Sequence, residues 1–251
     1  MRPLILDSAL GTELESRQFM RQIIAIGGGG FGREIGDLKI EKYIVQQSNK
    51  TKPKICFIPT ATGDDQGYID NFYKAFNSID CITSHIDFFK RTIDLESHIL
   101  DQDIIYVGGG NTKSMLAVWR EWNLDLILKK AYENNIIMSG VSAGAICWFD
   151  KGITDSWKNH QSILPCLGFV EGVCCPHYDE EPERIPFVKE ILEAKKIDEC
   201  IAIEGYCALH LINDSPKFSI SFKNKADTHS VVCNNDKILH KSLLGVEKKI
   251  I

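Results

Sequence analysis

The sequence lacks any hydrophobic run long enough to span a bilayer, any excess of positive charge and any CxxC pair. A membrane-spanning helix needs about 20 consecutive apolar residues, and the first residues do not combine a basic region with a long apolar one. The net charge of -5, with basic and acidic residues intermixed, is unlike that of a nucleic-acid-binding protein. We therefore expect a cytoplasmic protein with no membrane or nucleic-acid partner.

The nine cysteines indicate a reducing compartment rather than a disulfide framework. Their number is odd, and most of them fall in apolar stretches typical of buried strands. Cys174 and Cys175 are adjacent in sequence, so in a strand their side chains point to opposite faces. The further ligands that a zinc site would need are missing at suitable spacing. We expect structural thiols, no metal and no cofactor.

Length and composition indicate one globular domain. The chain has 251 residues, of which 44% are hydrophobic and 25% charged. Residues 1–19 fit poorly with the rest of the chain, and Met20 directly precedes the first convincing strand. We interpret residues 1–19 as an added or misassigned leader, with a short native extension as the alternative, and residues 20–251 as a single α/β domain. The sequence leaves open whether the protein is a monomer or a homodimer.

Apolar runs alternate with helical patterns along the first half of the chain. Short runs at 23–26, 55–58, 103–107 and 136–138 are typical of buried strands, and a further strand is expected near 82–88. Between them, apolar residues recur with helical spacing. This alternation predicts an α/β fold with a doubly wound, mostly parallel sheet, helices on both faces and short strands near the C-terminus. Residues 151–167 are expected to be irregular. In such a fold, ligands bind at the carboxyl ends of the strands.

The segment Gly140-Val141-Ser142-Ala143-Gly144 links a predicted buried strand to a helix-prone stretch. A serine on such a turn, flanked by glycines, matches the GxSxG nucleophile elbow. The turn would expose the Ser142 hydroxyl and aim the N–H group of Ala143 at a developing oxyanion. Small residues also occur in such turns for helix–strand packing, so the motif needs support from other residues.

Two further motifs are expected at the same edge of the sheet. Pro176-His177 follows a predicted strand, so His177 is the candidate base for the serine, although a histidine there can also cap or pack a loop. The loop Gly108-Gly109-Gly110-Asn111-Thr112 follows another strand and suits close backbone approach to a substrate. The alternative is a tight turn into a helix.

Together, these three motifs resemble the peptidase E family of serine peptidases, which includes aspartyl dipeptidases and cyanophycinases. The resemblance runs from about residue 21 to the C-terminus. It implies a fold similar to class I glutamine amidotransferases, with serine where those enzymes carry cysteine. It also implies that Ser142 is the nucleophile, His177 the base, and the N–H groups of Gly110 and Ala143 the oxyanion hole.

The resemblance implies a Ser-His-Glu arrangement, and the best match for the acid is Glu204 in Ile201-Ala202-Ile203-Glu204-Gly205. The alignment at this point is imperfect, because many relatives have one more residue before the glutamate. Asp155 and Asp179 are the alternatives, and for each carboxylate the simpler interpretation is a solvated surface group.

The resemblance also implies a small peptide substrate with an N-terminal aspartate, whose carboxylate needs a cation. Arg184 is the candidate, with a surface ion pair on a helix as the alternative interpretation. Further polar substrate contacts are expected from Asn111, Thr112, Asp155, Ser156 and Tyr178.

Three other functions stay open. A cyanophycinase-like enzyme would cleave a β-linked aspartyl polymer and would need a groove for it. The pattern Gly27-x-Gly29-x-x-Gly32 formally matches a dinucleotide-binding loop, although Pro59-Thr60 stands where an acidic residue should close the second strand. A non-catalytic relative that binds a peptide is the third, and intact Ser142 and His177 argue against it.

Overall fold

The computed structural model describes residues 20–32, 35–223, 225–235, 237–243 and 245–251. The leader predicted at residues 1–19 lies outside the described residues. The strands are β1 (Gln22–Ile26), β2 (Lys54–Ile58), β3 (Ile82–His85), β4 (Ile104–Val107), β5 (Ile137–Val141), β6 (Phe149–Trp157), β7 (His160–Pro165), β8 (Val170–Cys175), β9 (Glu199–Ile203), β10 (Cys207–Ile212), β11 (Ser215–Ser221), β12 (Thr228–Asn234), β13 (Lys237–Ser242) and β14 (Glu247–Ile250).

The helices in the described part of the chain are α1 (Lys39–Gln46), α2 (Gln66–Asn77), α3 (Leu95–Leu100), α4 (Thr112–Glu121), α5 (Leu124–Glu133), α6 (Ala143–Ile146) and α7 (Arg184–Glu193), with a 3-10 turn at Thr60–Thr62. Among these residues, no helix is both long and apolar enough to cross a membrane.

The larger sheet has eight strands in the order β14-β11-β10-β1-β5-β4-β2-β3. Strands β1, β5, β4, β2 and β3 run parallel to one another. Strand β10 extends the sheet antiparallel to β1, and β11 and β14 complete that side. The predicted mostly parallel sheet is therefore confirmed, and the carboxyl ends of β1, β4 and β5 meet at one edge.

Helices cover both faces of this sheet, as the sequence predicted. Along β1, Ile23 and Ala25 point into a core shared with α4 and α5, whereas Ile24 and Ile26 point into a core shared with α1 and α2. All four side chains are fully buried. A strand buried on both faces has no solvent-exposed face on which polar residues could alternate with apolar ones, so β1 is a continuous apolar run.

A second sheet of six strands, in the order β13-β12-β9-β8-β6-β7, was not anticipated. The prediction of an irregular segment at residues 151–167 is wrong, because β6 and β7 form an antiparallel hairpin there. Much of β6 and all of β7 is half-buried or exposed. Since both strands keep polar residues in contact with water, they lack the apolar runs that identified the other strands.

The cysteines are free thiols, as expected. Seven of the nine are buried, and Cys166 and Cys233 are partly buried. Burial raises the pKa of Cys56 and Cys207 to about 12, and it raises that of Cys147 well above its usual range. These side chains act as small hydrophobic residues of the core.

Stability should fall in mild acid because of His210. This histidine is buried on β10, where its Nδ1 lies 2.7 Å from the Tyr43 hydroxyl and its Nε2 3.0 Å from Gln22 Oε1. Burial lowers its pKa from 6.5 to about 4. The unfolded chain therefore binds the proton more strongly than the folded one, and stability is lost as pH falls from about 6.5 to about 4, by up to about 3 kcal/mol.

Urea unfolding of the wild type and of His210→Gln at pH 7 and at pH 4.5 would measure this contribution. The variant should be less stable at pH 7, and its unfolding free energy should fall less on acidification. Equal losses for both proteins would assign the acid sensitivity to other groups.

Candidate active site

Ser142 sits in the turn between β5 and α6 with a strained backbone. Its φ and ψ angles are 57° and -110°, a combination that residues with a side chain rarely adopt. The Ser142 N–H group donates to Ile26 O at 3.0 Å, and its carbonyl accepts from Ala145 N and Ile146 N. The backbone on both sides thus holds the serine in this conformation. The strand, turn and helix predicted for an elbow are present.

The two glycines of the motif allow the backbones around Ser142 to touch. A Cβ atom on Gly140 would lie 2.5 Å from the carbonyl oxygen of Gly144, and one on Gly144 would lie 2.2 Å from the carbonyl oxygen of Val107. Side-chain carbons essentially never approach a backbone oxygen so closely. The motif therefore reflects a packing requirement between β4, β5 and α6, in addition to any chemistry at the serine.

His177 follows β8, and its ring is oriented by Glu180. Its Nδ1 lies 2.5 Å from Glu180 Oε2, and the side chain is 8% exposed. A carboxylate bound to Nδ1 keeps the proton there, which leaves Nε2 as the ring nitrogen able to accept one. The backbone of His177 is anchored too, because its N–H donates to Gly27 O at 3.0 Å.

Ser142 and His177 line one cleft of about 870 Å³. In the part of the chain that the structure describes, no hydrogen bond joins the two side chains. Nucleophile–base hydrogen bonds are often long before substrate binds and tighten in the complex. The arrangement thus brings a serine hydroxyl and an oriented imidazole to the same cavity.

The Glu180 carboxylate lies between two glycines. A Cβ atom on Gly28 would lie 2.3 Å from Glu180 Oε2, and one on Gly205 would lie 2.3 Å from its Cδ. A side chain at either position would displace the carboxylate from His177. The glycine run that formally matched a dinucleotide loop therefore has a packing role beside the imidazole.

None of the three carboxylates considered as the acid contacts His177. Glu204 Oε1 lies 3.0 Å from His229 Nε2, and its other oxygen accepts from Asp227 N. Asp179 accepts from Gly205 N, and the exposed Asp155 faces Arg184. The geometry does not support contact between Glu204 and His177: the end of β9 points the Glu204 carboxylate toward β12, whereas the turn after His177 brings Glu180 back to the imidazole.

Glu180 was missed by the sequence reasoning. It is the second of three consecutive acidic residues, Asp179, Glu180 and Glu181, which together look like a solvated surface run. The available signal was its spacing, because a residue three positions after His177 can fold back onto the ring when the chain turns.

The glycine loop at the end of β4 offers a backbone donor to the cleft. Gly110 has φ 134°, and a Cβ atom on it would lie 2.4 Å from Ala61 O, so this position requires glycine. Gly110 lines the cleft with Ser142. Within the described ranges, neither the Gly110 N–H nor the Ala143 N–H donates to another protein atom. Both predicted oxyanion donors are therefore available.

The residues predicted to contact substrate do not line the cleft. Asn111 caps α4, Thr112 is buried, and both contact β6, where Ser156 is also engaged. Tyr178 is buried, with its hydroxyl 2.7 Å from His240 Nε2.

Arg184 is also placed away from the cleft, in contrast to its predicted role as the carboxylate-binding cation. The side chain is 2% exposed and donates to Glu181 Oε2 and to the Ile153 carbonyl. A buried arginine that is already paired in this way cannot reach a ligand in the cleft. Its spacing carried a sign of this burial, because Val188, Ile191 and Leu192 follow Arg184 by four, seven and eight residues and share the buried face of α7 with it.

Part of the wall of the same cleft is formed by α2 and the residue before it. Its described lining includes one cation, Lys74, and two carboxylates, Asp65 and Asp70. Sequence reasoning missed these residues because polar positions on a helix are normally its solvated face. Tyr68 joins this wall to the glycine loop, since its hydroxyl lies 3.4 Å from Gly109 N.

Comparison with known proteins supports the assignment that the motifs suggested. The sequence profile of peptidase family S51 matches residues 23–218. The uncharacterized peptidase YgaJ of Bacillus subtilis (strain 168) is 45% identical over 214 residues, which cover 85% of this chain and 93% of YgaJ.

Two solved structures share the fold. A Listeria monocytogenes EGD-e protein named as a peptidase E superposes with a TM-score of 0.60 at 17% identity, covering 81% of this chain and 100% of the other. A peptidase from an acI-B1 actinobacterium superposes with a TM-score of 0.65 at 15% identity, covering 92% and 98%. The match over most of the chain, the close relative and the shared fold lead to one conclusion: the chain belongs to peptidase family S51, the peptidase E family, with its class I glutamine amidotransferase-like fold.

Proposed function

We propose that this peptidase is a serine exopeptidase that hydrolyses small peptides, preferably dipeptides with an N-terminal aspartate, through an acyl-enzyme on Ser142. The observation that carries the proposal is the strained Ser142 backbone in the same cleft as a His177 ring whose Nδ1 is bound by Glu180. Strained residues of this kind concentrate at functional sites. No metal or cofactor takes part in the proposed reaction.

In the first half of the reaction, Ser142 Oγ attacks the peptide carbonyl carbon and His177 Nε2 takes the hydroxyl proton. The carbonyl oxygen becomes an oxyanion, which the N–H groups of Gly110 and Ala143 stabilise. The C–N bond then breaks, and His177 passes its proton to the leaving amine. The products are an ester on Ser142 and the released amino acid or peptide.

In the second half, water attacks the ester while His177 Nε2 accepts a proton from it. The same two N–H groups hold the second oxyanion. Collapse of this intermediate breaks the bond to Ser142 Oγ, which takes the proton back from His177. Glu180 keeps the imidazole in one orientation throughout and offsets the positive charge that forms on it.

The preference for an acidic N-terminal residue rests on Lys74, because Arg184 is committed elsewhere. Lys74 is exposed on α2 and lines the cleft. Lys74 lies six residues beyond Tyr68, about 9 Å along the helix axis, and its long side chain can bring the ammonium toward an acidic group of a substrate bound at Ser142. Asp65 and Asp70 offer carboxylates to a substrate ammonium.

Lys74→Gln should lower kcat/KM for Asp-Leu about tenfold and leave that for Leu-Leu unchanged, because a charge-assisted contact of this type is worth about 1–2 kcal/mol. Steady-state hydrolysis of both peptides measures the effect. Lys189→Gln, which removes an exposed cation of α7 outside the cleft, is the matched control. A loss of equal size for both peptides would contradict a role in selecting the acidic residue.

The proposed function is tested with Asp-Leu, Asp-p-nitroanilide, Leu-Leu and β-Asp-Arg, together with a peptidyl phosphonate that modifies nucleophilic serines. We expect turnover of the α-linked Asp substrates, a nitroaniline burst equal to the enzyme concentration, and a phosphonate adduct on the peptide containing Ser142. Preference for β-Asp-Arg would indicate a cyanophycinase-like specificity. Binding of these peptides with neither turnover nor adduct would indicate a non-catalytic relative.

A further inference from the structure

We propose that the irregular part of β6 around Ser156 is a positioning element for the oxyanion loop, Gly108–Thr112. The inference rests on the proposed function, because it assigns a role to residues that hold the Gly110 amide without touching substrate. It also gives one explanation for several residues that the sequence suggested as substrate contacts and that the structure places behind the loop.

Ser156 contacts the loop and the helix that follows it at two points. Its carbonyl oxygen accepts from Asn111 Nδ2 at 3.0 Å, and its hydroxyl accepts from Lys113 N at 3.2 Å. The hydroxyl also lies 2.8 Å from Thr154 Oγ1, which in turn lies 3.4 Å from Thr112 Oγ1. The residues of this short strand segment therefore bind three consecutive residues, Asn111, Thr112 and Lys113, where the loop joins α4.

These contacts arise from an irregularity in the strand. The pairing of β6 with β7 shifts register between Thr154 and Trp157, so Asp155 and Ser156 leave the regular ladder. A bulge of this type re-aims side chains and is common beside active sites. On the far side, Asp155 Oδ1 lies 3.5 Å from the buried Arg184, whose Nη1 donates to the Ile153 carbonyl at 2.8 Å.

The Ser156 hydroxyl satisfies a first-turn N–H group of α4, whereas the bond from Asn111 to the Ser156 carbonyl is not needed to cap this helix. Asn111 already caps α4 through its side-chain oxygen, which accepts from Ser114 N at 2.9 Å. The amide nitrogen of the same side chain is not required for the cap and donates to Ser156. The second bond thus connects the loop to the other sheet rather than to its own helix.

The position of the Gly110 amide follows from the same contacts. On one side, Asn111 N donates to Ala61 O at 2.8 Å, and Gly110 packs against that carbonyl. On the other side, Asn111 is bound to Ser156. The position of the Gly110 N–H is therefore set by contacts on two sides of the loop, one with Ala61 and one with Ser156. Oxyanion donors must lie about 2.7–3.1 Å from the developing charge, so small displacements of this amide weaken transition-state binding.

Ser156→Ala keeps the carbonyl that binds Asn111 but removes the hydroxyl bonds to Lys113 N and Thr154 Oγ1 that hold this carbonyl in place. The variant should therefore lower kcat about tenfold and leave KM unchanged, which is less than the roughly hundredfold or greater loss for removing an oxyanion donor outright. The Ki of an aspartyl aldehyde, whose adduct with Ser142 carries an oxyanion, should rise by a similar factor. The Ki of the product aspartate should not change. Ser156→Thr, which keeps the hydroxyl, should recover most of kcat.

Ser162→Ala on β7 is the matched control, because its hydroxyl takes no part in these bonds and it lies on the paired strand. The NMR resonance of the Gly110 amide is followed in all variants. It should shift in Ser156→Ala and not in Ser162→Ala, and this readout holds even if the wild type hydrolyses none of the peptides. An unshifted Gly110 amide, wild-type kcat in Ser156→Ala, or equal losses in both alanine variants would overturn the proposal.

Discussion

Alanine in place of Ser142 is expected to lower kcat/KM for the preferred peptide by roughly 10⁴- to 10⁶-fold, because nucleophile and base act as a unit and losing either removes most of their joint contribution. The Gly110 and Ala143 amides stay in place, so substrate should still bind. Single-turnover hydrolysis and a binding titration with Asp-Leu would separate the two effects. Turnover within tenfold of the wild type would exclude Ser142 as the nucleophile.

Ser142→Gly is the informative companion variant. It should be as inactive as Ser142→Ala, but it should unfold with a free energy about 1 kcal/mol higher than that of the alanine variant, because glycine adopts a φ of 57° with a ψ of -110° without strain. Urea unfolding of the three proteins would test this. A glycine variant no more stable than the alanine variant would mean that the elbow stores no strain.

Glu180→Gln should lower kcat/KM by about 10²- to 10⁴-fold, because an amide cannot offset the imidazolium charge and no longer favours the tautomer with the proton on Nδ1. The loss should fall on kcat, since Glu180 contacts His177 and is not among the residues that line the cleft. The pH profile of kcat/KM would also change in the variant, because the carboxylate that stabilises the protonated ring is gone.

Glu204→Gln is the matched comparison, since it removes the alternative carboxylate with the same change of charge. Glu204 contacts His229 and the Asp227 backbone, so this variant should stay within a few-fold of the wild type in kcat/KM. Near-wild-type activity in Glu180→Gln with a large loss in Glu204→Gln would restore the assignment suggested by sequence.

The parts of the site that were predictable are those set by local chain geometry. A serine between Gly140 and Gly144, at the end of an apolar run, specifies a strand, a sharp turn and a helix without reference to the rest of the chain. The same holds for Gly110, which follows β4. Parallel strands bring such turns to one edge of the sheet, so motifs far apart in sequence share a cleft.

The carboxylate that contacts His177 was not predictable in this way. Glu180 and Glu204 both end up near the loop after β8, and which of them meets His177 Nδ1 depends on the path of a turn and on space left by two glycines. Neither the hydrophobic pattern nor the composition of the sequence determines how far each carboxylate lies from His177 Nδ1. For Arg184, the helical spacing to Val188, Ile191 and Leu192 indicates burial, whereas its partners on β6 and Glu181 do not follow from that spacing.

The half-exposed hairpin of β6 and β7 was missed for a different reason. Its residues alternate imperfectly, and the register shift at Asp155 and Ser156 breaks the period of two by which a strand is recognised. The irregularity that concealed the strand also turns Ser156 toward the catalytic loop.

The burial of the native thiols has a practical consequence for spectroscopy. A cysteine placed at position 142 would face the cleft, whereas the nine native ones are buried or partly buried. A maleimide fluorophore or a nitroxide spin label would therefore attach to Ser142→Cys in preference to the native side chains, with Cys166→Ser and Cys233→Ser as a precaution against background labelling. Few native thiols would therefore compete for the label, and the attached probe would report on peptides that enter and leave the cleft.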